Sequence, residues 1–132
     1  TWYDFPDSGA DLTGRWVVIR EVRAEVQKEL ESVRAAGKIG SSLQAEVEVR
    51  AEGERLRALE SLGDDLRFVL ITSQAAVSSG GAPAVAVKPS PHSKCERCWH
   101  YRADVGREAA HPGLCGRCTS NLYGAGELRT HA

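Results

Sequence analysis

Four cysteines constrain this chain more than any other feature. Cys95 and Cys98 are followed, after 16 residues, by Cys115 and Cys118, a C-x2-C-x16-C-x2-C array. The spacing lies in the range used by four-thiolate zinc sites. Two cysteines three apart in a tight turn present both sulfurs to one ion, and a second such turn completes a tetrahedron with Zn–S of about 2.3 Å. Four protein ligands leave no position for water, so such a metal is structural rather than catalytic. Gly116 is expected to give the second turn a positive φ. Arg97 and Arg117 hold the same place in each turn and would partly offset the 2− charge of a zinc tetrathiolate. The segment 92–132 has few large apolar residues: Trp99, Tyr101, Val105, Leu114, Leu122, Tyr123 and Leu128. That core is too small to fold alone, and metal binding supplies the missing free energy. A disulfide pair would need an oxidising compartment, which nothing here indicates. A thioredoxin-like redox pair does not come in two matched copies. With four thiolates present, His100 and His111 are left without a ligand role.

Charge divides the chain at the same place. Residues 1–73 carry 10 Lys/Arg and 14 Asp/Glu, 74–87 carry none, and 88–132 carry 7 and 4. The whole chain is close to neutral at −1, so no global field points to a polyanion or a membrane. The longest unbroken apolar runs, Trp16 to Ile19 and Phe68 to Ile71, fall far short of the ~18 residues a membrane span requires. The acidic start lacks the apolar core of a secretory signal. The chain has no methionine and opens at Thr1, and it reads as a piece of a longer polypeptide.

Periodicity sets the expected elements. Residues 1–12 read as irregular, with Asp11 or Thr13 able to cap a helix. Ile19, Val22, Val26, Leu30 and Val33 form one apolar stripe of a long amphipathic helix over 13–36, with Gly37 as its stop. Lys38 to Ser42 is a loop. Leu43, Ala45, Val47 and Val49 alternate with polar residues, as a half-buried strand does. Gly53 breaks it. Leu56, Leu59 and Leu62 suit a short helix ending near Gly63. Phe68 to Thr72 reads as a second strand, with a short buried helix as the alternative. Residues 74–91 are expected to be a linker with one possible strand at Ala84 to Lys88. The expected fold class is α+β: a long amphipathic helix with a small mixed helix/strand unit over 1–73, then a zinc-ribbon-like four-cysteine finger over 92–132.

Beside the first cysteine pair stand Trp99, His100, Tyr101 and Arg102, with Lys94, Arg97, Arg107, Arg117, Asn121 and Arg129 nearby. Aromatics interleaved with cations on a rigid metal turn suit single-stranded or loop RNA: bases stack on rings and cations neutralise phosphates. The competing reading is that Trp99 packs over the zinc turn as the core of a tiny domain.

Lys94-Cys95-Glu96-Arg97-Cys98-Trp99-His100-Tyr101, Asp104-Val105-Gly106 and Leu114-Cys115-Gly116-Arg117-Cys118 resemble the C-terminal zinc finger of bacterial isoleucyl-tRNA synthetases. Ser120-Asn121 and Gly124-x-Gly126-Glu127 fit as well. Upstream, Arg34, Lys38 to Ala45 and Leu66 to Ser73 are similar to the segment after that family's long C-terminal helix. The resemblance runs in order over nearly the whole chain and is least specific at 74–92. It implies a parent enzyme that attaches isoleucine to tRNA(Ile) with ATP and Mg through an aminoacyl-adenylate. It also implies a cytoplasmic monomer with catalytic and editing domains elsewhere and no membrane association. The C-terminal extension would meet the anticodon side of the tRNA and pack against the remaining domains. By motif match Cys95, Cys98, Cys115 and Cys118 carry over as ligands of one structural zinc. Candidate tRNA contacts are Lys94, Arg97, Trp99, His100, Tyr101, Arg102, Arg117 and Asn121.

The family's ATP-site signatures are not matched. His111-Pro112-Gly113-Leu114 lacks a second histidine, and Lys38 to Ser42 lacks the inner lysine of a Lys-Met-Ser-Lys-Ser motif. No catalytic residue is expected in this chain, which on its own should lack ligase activity. Two other readings use the same cysteines. Formamidopyrimidine-DNA glycosylases end in a related finger, but with an arginine on a hairpin tip and a glutamine after the last cysteine; here Thr119 follows Cys118. A freestanding zinc-ribbon module that binds RNA or protein is the other.

Overall fold

A computed structural model describes residues 12–128 of the chain. The irregular opening, the Asp11 cap and Arg129 lie outside the described residues. Helix α1 spans Leu12–Ala35. Its stripe is the first wall of the core: Ile19, Val22, Val26 and Leu30 are buried and Val33 packs beside them. The helix ends in a Schellman turn. Gly37 sits at φ 74°, its N–H donates to Arg34 O at 2.9 Å, and the Lys38 N–H reaches Val33 O at 3.2 Å.

Strand β1, Ala45–Ala51, buries Ala45, Val47, Val49 and Ala51 in strict alternation, although the charged Glu46 on its other face is also buried. Helix α2, Gly53–Glu60, comes next. Phe68 to Thr72, expected as a strand with a short buried helix as the alternative, takes the alternative in its first half: helix α3 spans Leu66–Leu70 and is closed by Ile71 at φ 58°. Leu66, Arg67 and Leu70 are its buried residues, an i, i+1, i+4 set that gathers on one side of a helix but would split between the two faces of a strand. Phe68 to Ile71 is an apolar run of four residues, too few for periodicity to decide between the two.

The expected linker is also structured. Gln74–Ser79 is strand β2 and Ala84–Pro89 is strand β3. The sheet order is β2-β1-β3, with β2 parallel and β3 antiparallel to β1. A parallel neighbour needs a crossover, which α2 and α3 provide. Residues 80–83 pass over the end of β1 to join its two flanking strands, ~9–10 Å apart by ordinary strand spacing. Gly80 and Gly81, at φ 122° and 68°, make that short bridge possible. Ala75, Val77, Val85 and Val87 complete the inner face against α1 and α2.

The finger begins with a hairpin of β4, Ser93–Lys94, and β5, Tyr101–Arg102. It ends with helix α4, Gly116–Tyr123. Ser73 joins it to the sheet. This fully buried serine donates its N–H to Ala45 O at 3.0 Å and its hydroxyl to Leu43 O. The same hydroxyl accepts the Tyr101 N–H at 2.6 Å, and Ser73 O accepts Arg102 Nη1 at 3.3 Å. Phe68 fills the rest of the seam, with Arg67 and Arg117 guanidinium carbons 4.6 and 4.8 Å from its ring centre and His100 edge-on at 5.7 Å. No helix among the described residues is long and apolar enough to cross a membrane.

Candidate metal centre

The hairpin tip and the start of α4 bring the two cysteine pairs together. The sulfurs of Cys95, Cys98, Cys115 and Cys118 all lie within 4.8 Å of one another. Cys98 Sγ and Cys115 Sγ are 3.8 Å apart. That is not a disulfide, which holds its sulfurs at about 2.05 Å. It is the edge of a tetrahedron whose centre-to-sulfur distance is about 2.3 Å, the zinc–thiolate bond length.

The protein part of the centre fits a cation in its chemistry too. Within the described finger the only buried apolar side chains are Cys95, Cys115 and Cys118, flanked by Cys98, Val105 and Leu114. No aliphatic side chain is buried there to hold the fold. Without a cation the sulfurs also oppose one another's ionisation. Burial raises Cys95, but the backbone around it and the Cys98 side chain outweigh that and bring it down to about 6. Burial pushes Cys115 up to about 12, helped by the charge of Cys98 and Cys118, and Cys118 is raised by burial as well. Four thiolates at this spacing therefore require a bound cation.

The turns are built by local hydrogen bonds. Cys95 O accepts the Trp99 N–H and His100 O accepts the Cys95 N–H, both at 2.9 Å. The Cys115 N–H points at Cys95 Sγ, 3.4 Å away. Gly116 does not take the expected positive φ; it opens α4, with its N–H on Asp104 Oδ2 at 3.0 Å. A Cβ there would lie 2.8 Å from that oxygen, so a side chain at 116 would displace the Asp104 carboxylate that caps α4. The positive φ falls on Trp99, at 65°.

The two arginines cross over. Arg97 Nη1 stands 3.6 Å from Cys118 Sγ, in the opposite turn. Arg117 pairs with Glu127 at 3.1 Å; burial lowers its pKa, but contact with Cys98 and the Glu127 charge raise it overall. Arg67, 8% exposed, carries no signal in the sequence that would single it out. Burial and the Arg102 and Arg117 charges pull it below the ordinary guanidinium value, against Asp64 and Cys115.

The eight candidate contacts separate into two groups. Lys94, Arg97 and Trp99 are exposed; Trp99 is 58% exposed with Lys94 Nζ 4.6 Å from its ring centre. Trp99 is thus not the finger's core. The other five face inward. His100 is buried, its Nδ1 on Cys98 O at 3.1 Å; burial and three arginines lower its pKa, so it is neutral and donates that bond. Tyr101 and Arg102 hold Ser73, and Arg117 lies on Phe68. Asn121 Oδ1 accepts the Glu127 N–H at 2.7 Å and ties down the tail.

This is a four-cysteine finger of a known class: residues 93–121 match the family described as "Zinc finger found in FPG and IleRS". Over its whole length the chain is 62% identical to the isoleucine–tRNA ligase of Cupriavidus necator, covering 14% of that protein. It is 60% identical to that of Cupriavidus taiwanensis, again over all of the chain and 14% of the relative. To that of Chromobacterium violaceum it is 54% identical over 99% of the chain and 15% of the relative. The chain belongs to the isoleucine–tRNA ligase family and corresponds to a C-terminal part of its members, about one-seventh of their length.

Proposed function

We propose that this chain is the zinc-bearing, tRNA-contacting C-terminal region of an enzyme that attaches isoleucine to tRNA(Ile), using ATP and Mg bound elsewhere. Cys95, Cys98, Cys115 and Cys118 hold one structural zinc. When bound, the ion fixes the two turns and neutralises their thiolates; it does no chemistry on substrate. The chain's own residues then position the exposed surface. The single observation that carries this reading is Trp99, a large aromatic held 58% exposed on left-handed backbone and flanked by Lys94, in a family whose members are named for a tRNA substrate.

A non-glycine residue at positive φ costs free energy, and a tryptophan left 58% exposed leaves most of its burial energy unrealised. Stacking on an unpaired base of the anticodon side, with Lys94 and Arg97 toward phosphates, accounts for both. Of the inward five, His100, Tyr101, Arg102 and Arg117 act indirectly by seating the finger on Ser73 and Phe68, and Asn121 by tying down the tail. Trp99→Ala in the full-length synthetase should weaken tRNA charging roughly 5- to 150-fold through KM for tRNA, the value of one stacked base. Isoleucine-dependent ATP–pyrophosphate exchange should be unchanged. Equal loss in both reactions, or in neither, would overturn the tRNA-side role.

A further inference from the structure

The loop between the cysteine pairs and the end of α4 carry an aromatic pair of their own. His111 and Tyr123 stack with ring centres 3.9 Å apart and planes 3° from parallel. Each partner is held independently. His111 sits in the loop between the cysteine pairs, where its N–H donates to Glu108 O at 3.0 Å and its carbonyl accepts the Leu114 N–H at 3.1 Å. Tyr123 ends α4. The stack covers one face of the tyrosine, yet the residue is 65% exposed, so its other face is open to solvent. It lines an open groove of about 320 Å³ together with Glu108, Gly116, Thr119, Ser120 and Gly124. A side chain on Gly124 would meet Ser120 O at 3.1 Å. Arg107, exposed and with no carboxylate partner among the described residues, adjoins Glu108 in sequence.

We propose that the Tyr123 face and its groove are a second nucleobase site, taking one unpaired RNA base, with Arg107 toward a backbone phosphate. This rests on the tRNA reading above and extends it to a surface formed by α4 and the loop between the cysteine pairs. Three features select a flat aromatic ligand. The ring is oriented by a stack and not by core packing. Its free face is large and planar. The adjoining groove is lined by glycines, small hydroxyl residues and Glu108, which leave room for a planar ring and offer hydrogen bonds to its edge. The site is distinct from Trp99, which stands on the first cysteine turn.

The test uses the zinc-loaded full-length synthetase and a tRNA(Ile) transcript at fixed salt. Tyr123→Leu keeps apolar bulk but removes the π face, and should weaken binding roughly 5- to 150-fold with zinc content unchanged; Tyr123→Phe should bind as the parent does. Binding by Tyr123→Leu equal to the parent overturns the proposal. If Tyr123→Leu loses zinc, photo-cross-linking of the unaltered enzyme to 4-thiouridine-substituted transcript decides. A cross-linked peptide containing Tyr123 supports the site, and cross-links confined to the Trp99 peptide overturn it. If neither Trp99→Ala nor Tyr123→Leu alters binding, the tRNA reading itself fails; an effect of Trp99→Ala alone rejects only the second site.

Discussion

Replacing Ser73 by alanine tests how the finger is held to the sheet. The hydroxyl is fully buried and serves two partners, donating to Leu43 O and accepting the Tyr101 N–H at 2.6 Å. Alanine removes one oxygen and leaves almost no cavity, so packing loss is small. The cost is that of two backbone groups left without a partner, each worth about 1–3 kcal/mol when fully buried. Leu43 and Tyr101 are only half-buried, so water recovers part of this, and about 2 kcal/mol is the expected net. That free energy belongs to docking of the finger and not to the α1–sheet core, which Ser73 also touches through its unaffected N–H. The assay is amide hydrogen exchange of the zinc-loaded chain. The Tyr101 amide should exchange roughly 30-fold faster, while the amides of β1 that face β3 keep their protection. An unchanged Tyr101 rate would refute the argument that Ser73 fastens the finger. A uniform increase throughout the sheet would show that seam and core open as one unit.

The same geometry sets three further outcomes. Gly116→Ala places a methyl 2.8 Å from Asp104 Oδ2, and should lower zinc affinity at least roughly tenfold in a chelator competition by tilting the start of α4. Leu59, fully buried in the main core, belongs to a different cluster from the sulfurs; Leu59→Ala should cost about 2–5 kcal/mol in urea unfolding yet leave zinc stoichiometry at one. Zinc binding should release protons. At pH 7 Cys95, at about 6, is already largely ionised, whereas Cys115, at about 12, and Cys118, raised above its usual value, still carry theirs. At least two protons per zinc should therefore appear in calorimetry run in buffers of different ionisation enthalpy. Affinity should fall as pH drops, more steeply below about 6 where Cys95 is protonated too.

The long helix and its stripe were legible because four turns of period 3.6 leave one solution. The metal turns were legible because thiol spacing is itself the signal. What the sequence concealed lies where local pattern is short or mute. Phe68 to Ile71 has too few residues to separate strand from helix. Gln74–Ser79 shows no charge and few large side chains, which reads as a linker, but Ala75 and Val77 need only one neighbour, β1, to become a strand. The inward turn of His100, Tyr101, Arg102 and Arg117 depends on Ser73 and Phe68, some 28 to 49 residues away in the chain, and no local spacing announces it. Lys94 beside Trp99 was visible as a cation–aromatic neighbourhood; the His111–Tyr123 stack joins residues of different turns and was not.

Everything proposed for the exposed surface rests on four thiolates holding one structural zinc. X-ray absorption at the zinc edge of the purified, metal-loaded chain reads that arrangement without an intermediary. The expected result is one zinc per chain with four sulfur neighbours at about 2.3 Å and no nitrogen or oxygen bound to the metal. A mixed set of sulfur and nitrogen ligands, or a chain that folds its finger without metal, would contradict it.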